Sequence, residues 1–105
     1  MMEKQIVYLS GKIDGLNSIE CKEAFDEAAY QVINMLSEEG YDDIEIINPE
    51  QMPKIQKCWE DYIIRDLILL KECNVIAMLP NWKDSYGAKI ERLFAEKKNI
   101  KIIEL

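Results

Sequence analysis

The chain has 105 residues, 49% of them hydrophobic, with 13 basic and 20 acidic side chains, no His and a net charge of −7. That length holds one domain, residues 1–105, with a modest core. The acidic balance, with no basic stripe, excludes a nucleic-acid surface and an anionic-membrane surface.

The longest apolar runs are strand-sized, so no signal peptide or transmembrane helix is expected and the chain is expected in the cytoplasm. Cys21, Cys58 and Cys73 are odd in number, widely spaced and without a CxxC pair. With no His available, neither a metal nor another cofactor is expected, and all three read as small buried hydrophobes.

In chain order, Gln5–Ser10 (QIVYLS) reads as a first strand and is followed by the loop Gly11–Asn17 (GKIDGLN). The loop is not a P-loop, because GxxxxGK[ST] is absent. A glycine-bearing turn directly after a strand either holds a phosphate with backbone N–H groups or is an ordinary strand-to-helix turn. A helix is predicted from Ser18 to Glu39, with Asn17 and Glu20 resembling a capping box and Gly40 as the stop. Phe25, Ala28, Ala29, Val32, Ile33 and Leu36 recur at helical spacing and define its buried stripe. Asp43–Asn48 (DIEIIN) is the second strand, and Pro49–Lys57 reads as an irregular loop.

A second helix is predicted over Cys58–Glu72, its apolar face made by Trp59, Tyr62, Ile63, Leu67 and Leu70. Asp66 shares that face with Ile63 and Leu70. An acid on a buried stripe is costly unless it is paired or functional. Asp66 therefore reads either as an edge position bonded to a loop or to Arg65, or as part of a site.

Asn74–Leu79 is a non-alternating apolar run, as expected of a parallel strand covered on both faces. The polar loop Pro80–Ser85 and a helix Tyr86–Lys97 follow, with Ser85 as N-cap and Gly87 allowing close approach to the first turn. Glu91 shares the face of Ala88, Phe94 and Ala95, read as the inner one, beyond the C-terminal end of a strand, where open α/β sheets bind ligands. Ile100–Leu105 (IKIIEL) closes the chain as a fourth strand.

The order βαβαβαβ predicts an α/β fold, a flavodoxin- or Rossmann-like three-layer sandwich with a four-stranded parallel sheet in order 2-1-3-4. The crevice at the switch point then gathers Tyr8, Ser10, Gly11 and Lys12 from the first strand and loop, Asp66, the Ser85–Gly87 turn, and Glu91. Glycines and Ser85 suit a phosphate or sugar hydroxyl. Two carboxylates suit a sugar centre, where one attacks or stabilises an oxocarbenium-like carbon and the other orients or donates a proton. Trp82 and Tyr8 are candidates to stack on a base, Trp82 alternatively packing on the protein itself.

The segments YLSGKIDG, WEDYIIRDL, CNVIAMLPNW and DSYGAKIE, in this order, resemble the nucleoside 2-deoxyribosyltransferase-like superfamily. That group includes the deoxyribosyltransferases and the 2′-deoxynucleoside 5′-monophosphate N-glycosidases, and the chain looks closest to a short branch with an NW…S-x-G-A-x-x-E pattern. The resemblance implies Glu91 as a nucleophile forming a glycosyl-enzyme intermediate, and Asp66 as the acid that assists the base or positions the sugar. It also implies Tyr8 beside the nucleophile, Ser85 and Gly87 on the sugar-phosphate side, and Gly11 in the first loop. Leu93 and Lys89 stand where such enzymes often carry Gly near the Glu. The family's enzymes complete the pocket with later residues, often from a neighbouring subunit.

The expected function is cleavage or exchange of the N-glycosidic bond of a (deoxy)nucleoside or its monophosphate. The alternatives are a non-catalytic nucleotide-binding module, and a structural subunit if both acids are ion-paired. The expected partners are a small-molecule nucleoside or nucleotide and a second copy of the chain. Trp59, Trp82, five Tyr and five Met exceed what a small core needs, which points to a homodimer.

Overall fold

The computed structural model describes residues 3–53 and 58–105. The strands are β1 (Gln5–Ser10), β2 (Ile44–Ile47), β3 (Val75–Met78) and β4 (Lys101–Glu104), and the helices are α1 (Ser18–Glu38), α2 (Trp59–Lys71) and α3 (Tyr86–Lys97). All strands are parallel and the sheet order is β2-β1-β3-β4, so the 2-1-3-4 order expected from the alternation of elements holds. Short 3-10 turns at Pro49–Gln51 and Trp82–Asp84 replace part of the irregular loops expected there. The rest of the expected 49–57 loop, residues 54–57, lies outside the described residues.

The helix ends follow local chemistry. Asn17 Oδ1 accepts from the Glu20 N–H at 2.8 Å, and Ser85 Oγ accepts from the Ala88 N–H at 3.1 Å. Each satisfies an N–H that the helix leaves without a partner. Gly40 (φ 101°) follows α1 in the left-handed region that a residue with Cβ enters only at a cost.

Alternation along β1 divides the core. Val7 and Leu9 face α1, where they pack with Phe25, Val32 and Leu36. Tyr8 faces the opposite layer, where Leu70 of α2 and Ala88 and Ala95 of α3 cover Ile76 and Met78. Successive strand side chains point to opposite faces, so Tyr8 and Ser10 share the α3 side.

Three burial expectations need correction. Ile33 is 37% exposed, because α1 buries only the narrow stripe Cys21, Phe25, Ala28, Val32 and Leu36. Trp59 is 42% exposed, because it sits on the first turn of α2, over a cavity and not over the sheet. Cys58 is exposed and donates its thiol to Asp61 Oδ2, whereas Cys21 and Cys73 are buried as expected.

Candidate functional site

The strand order reverses at β1 and β3, and a cavity of about 920 Å³ opens above their C-terminal ends. Its walls come from the loop after β1, the Pro49–Met52 turn after β2, α2, and the turn leading into α3. Glu91 and Asp66 both line it, as do Gly11, Lys12, Ser85 and Gly87.

Glu91 is 5% exposed and held from below by the sheet. The Tyr8 hydroxyl donates to Glu91 Oε2 at 2.6 Å, and the Ser10 hydroxyl donates to Oε1 at 2.7 Å. The two donors lie two residues apart on one strand face, and one carboxylate spans them. A carboxylate so gripped has few rotamers left.

Asp66 reaches the same cavity from α2, near enough for each carboxyl to bear on the ionisation of the other. Two neighbouring buried carboxyls cannot both be ionised cheaply, so each disfavours the charged form of the other. Burial, opposed by the Tyr8 and Ser10 bonds and reinforced by the Asp66 charge, pushes Glu91 up to about 7. Burial likewise raises Asp66, while Arg65 opposes the rise. Burial and the adjoining carboxylates hold the Tyr8 phenol protonated far above its ordinary range, so Tyr8 acts only as a donor.

The two acids differ in their partners. Asp66 Oδ1 accepts from Arg65 Nη2 at 3.1 Å, and Arg65 Nη1 donates to the Pro53 carbonyl at 2.9 Å. Glu91 bonds to two hydroxyls and lies near a second acid, with no cation among the described residues bonded to it. A buried acid without a cation is expensive, and Glu91 bears that cost where Asp66 is relieved by Arg65.

Tyr8 lies beside Glu91, where the resemblance puts it, and the other expected site residues have packing or capping contacts of their own. Tyr8 and Ser10 are fully buried beneath Glu91, so Tyr8 offers no ring to a base and Ser10 no hydroxyl to a ligand. Trp82 lies outside the cavity, stacked 4.9 Å from the Arg92 guanidinium and packed on the α3-side core. Gly11 is glycine because the chain end of β3 is close: a Cβ there would sit 2.7 Å from Leu79 Cβ. Gly87 likewise meets Ile63 Cδ1 at 3.1 Å and lets α3 press against α2. Ser85 Oγ is used as the cap of α3, although its proton stays available to the cavity.

Sequence reasoning missed several residues. Asn81 Oδ1 accepts from the Lys12 N–H at 3.0 Å and pins the loop after β1 to the end of β3. Arg65 was visible only as a partner for Asp66, not as a bridge to the Pro53 carbonyl. The aromatic walls Trp59, Tyr62 and Tyr86 and the acids Asp14, Glu50 and Asp84 also line the cavity, and no motif announces them. Among the described residues no cluster of three or more His, Cys, Asp or Glu is arranged to hold a metal ion. No helix among them is long and apolar enough to cross a membrane.

A family model described as DUF4406, a domain of unknown function, matches residues 5–104. No curated protein matches the chain.

Proposed function

The chain belongs to the DUF4406 family, whose description carries no activity, and on that footing we propose that it cleaves or exchanges the N-glycosidic bond of a nucleoside or nucleoside monophosphate. Glu91 is the nucleophile. The observation that carries this reading is the Glu91 carboxylate held by Tyr8 and Ser10, with Asp66 near it, on the floor of a cavity large enough for a nucleoside.

Attack at an anomeric carbon needs an ionised carboxylate in a fixed position. The sheet supplies the position, and a pKa near 7 leaves a large ionised fraction at neutral pH. Asp66, held by Arg65, positions Glu91 and the sugar hydroxyls. The resemblance of the YLSGKIDG and DSYGAKIE segments to nucleoside 2-deoxyribosyltransferase-like enzymes supports the same assignment.

The test is incubation with a panel of nucleosides and monophosphates, read by chromatography for released base. Release that disappears in Glu91→Gln establishes the reading. Tight binding without release replaces it with a nucleotide-binding module. One observation favours that second reading: both Glu91 oxygens already accept hydroxyl bonds.

The cytoplasm and a homodimer are part of the same proposal. Three free thiols suit a reducing compartment. Ile64 and Ile68, one turn apart on α2 and 57% and 63% exposed, supply an apolar strip for a second copy.

A further inference from the structure

The charge and the walls of the cavity narrow the substrate. Five carboxylates line it, those of Asp14, Glu50, Asp66, Asp84 and Glu91, against the two cations Lys12 and Arg65. Arg65 is committed to Asp66 and to the Pro53 carbonyl. Asp14, Glu50 and Asp84 take part in no ion pair among the described residues. Glu50 and Asp14 lie close enough to Cys21 for both charges to raise its thiol, so they converge on one side of the cavity. Among the described residues, a phosphate dianion entering this space meets one uncommitted ammonium and the three unpaired carboxylates Asp14, Glu50 and Asp84, which repel it.

The walls are also aromatic. Trp59, Tyr62 and Tyr86 line the cavity, and Tyr86 is 80% exposed. Arg65 already lies 5.2 Å over the Tyr62 ring and Lys89 5.5 Å from the Tyr86 ring, so Trp59 and the outer face of Tyr86 are the surfaces that, beside unpaired carboxylates, favour a flat organic cation.

Bond cleavage makes the same demand. The base departs from the face opposite the nucleophile. Any proton held by Glu91 lies on the attacking side, and the Tyr8 proton is committed to Glu91. An ordinary purine or pyrimidine leaving as an anion would need a proton on the far side. A base that already carries a positive charge needs none.

Building on the N-glycosidase reading above, we propose that the substrate is a cationic N-glycoside, a nucleoside with a quaternary, pyridinium-type ring nitrogen at C1′ and no 5′-phosphate. A Glu91 oxygen bonds to C1′ as the C1′–N bond breaks. The bonding pair stays on the ring nitrogen and turns the pyridinium into a neutral pyridine. Water then attacks C1′ from the vacated face, the C1′–O bond to Glu91 breaks with its pair returning to the carboxylate, and the water's proton passes to solvent. Each cleavage releases one proton, one neutral base and one sugar.

The experiment compares three near-isosteric probes: the riboside of pyridine-3-carboxamide, a cation; the riboside of pyridine-3-carboxylate, its charge cancelled; and the 5′-phosphate of the first. Adenosine and deoxyadenosine serve as uncharged references. The cationic riboside is expected to lead in kcat/KM by at least about tenfold over both relatives, with one proton released per base. The double variant Glu50→Gln, Asp84→Asn, both at solvent-accessible wall positions, is expected to lower the ratio of cationic to carboxylate rates at least about threefold, with unchanged circular dichroism. Equal or faster cleavage of the phosphate or the carboxylate riboside overturns the inference, as does an unchanged ratio in the double variant. Faster cleavage of adenosine than of the cation overturns it while leaving the N-glycosidase reading intact. No base release from any compound overturns both.

Discussion

The Tyr8 hydroxyl and the Glu91 carboxylate meet at 2.6 Å, joining the middle of β1 to the inner face of α3 across 83 residues of sequence. The bond is buried, and its donor keeps its proton because burial and neighbouring carboxylates oppose a phenolate. It sets the carboxylate's direction and favours its ionised form.

Tyr8→Phe therefore keeps the packing and removes the donor. The loss is expected to be about 1.5–3 kcal/mol where Glu91 is ionised, because bonds to charged groups are the stronger ones. It should be smaller below the carboxyl's titration. Urea unfolding at pH 8 and pH 5 measures the difference. Equal losses at the two values would mean that the bond does not act on the ionised form.

Glu91 makes the fold pH-sensitive in a defined direction. Its folded value of about 7 lies above the ordinary 4.5, so between these the folded state binds a proton that the unfolded state has already lost. Stability from this group is complete below about 4.5, falls as pH rises towards about 7, and is level beyond. Raised Asp66 adds in the same direction. Glu91→Gln cannot titrate, so it should be about 1–3 kcal/mol more stable than the wild type at pH 8 and close to it at pH 5. Thermal melts of the pair across this range test the sign. A variant less stable at pH 8 would show that the acid is satisfied as an anion.

Gly11 is fixed by crowding. Gly11→Ala puts a Cβ within 3 Å of both Leu79 Cβ and Cδ2 and against Asn81 Oδ1, the acceptor that holds the Lys12 N–H. Overpacking of this kind costs about 1–3 kcal/mol. Amide exchange at Lys12 should accelerate together with the fall in melting temperature. A variant as stable as the wild type, with Lys12 still protected, would show that the loop shifts freely.

The exposed strip on α2 gives the assembly prediction. Light scattering at micromolar concentration is expected to give a dimer mass, and Ile64→Glu with Ile68→Glu is expected to give a monomer. A wild-type monomer would remove the dimer from the proposal.

Much of this arrangement is legible in the sequence. The apolar run Val75–Met78 and the alternation of strands with amphipathic helices fix the parallel sheet, and Glu91 and Asp66 stand out as acids on apolar faces. What is not legible is distance across the sheet. Tyr8 and Ser10 look like cavity residues because they precede a glycine loop, yet strand alternation turns both downward onto Glu91. Trp82 follows the strand at the right place for a stacking residue, but its 3-10 turn swings it onto Arg92. Gly11 reads as part of either a phosphate-holding turn or an ordinary strand-to-helix turn, and what forbids a Cβ there is Leu79. Each of these depends on a contact between elements far apart in the chain, which periodicity does not encode.

The last prediction separates the two acids by their pH profiles. Base release from an accepted nucleoside should rise through about pH 7, as Glu91 loses its proton and becomes nucleophilic. Glu91→Gln keeps the shape and removes the anion, and should lower the rate by roughly three orders of magnitude or more at every pH. Asp66→Asn acts differently. The Asp66 charge raises Glu91, so removing it lets Glu91 ionise at lower pH. The rising limb should move to lower pH, while the plateau falls about tenfold to a hundredfold because Arg65 loses its partner and the sugar is held less well. Initial rates between pH 5 and pH 9, read by chromatography, give all three curves. A limb that stays in place in Asp66→Asn would show that the Asp66 carboxyl does not bear on the ionisation of Glu91. Wild-type rates from Glu91→Gln would remove Glu91 from the chemistry.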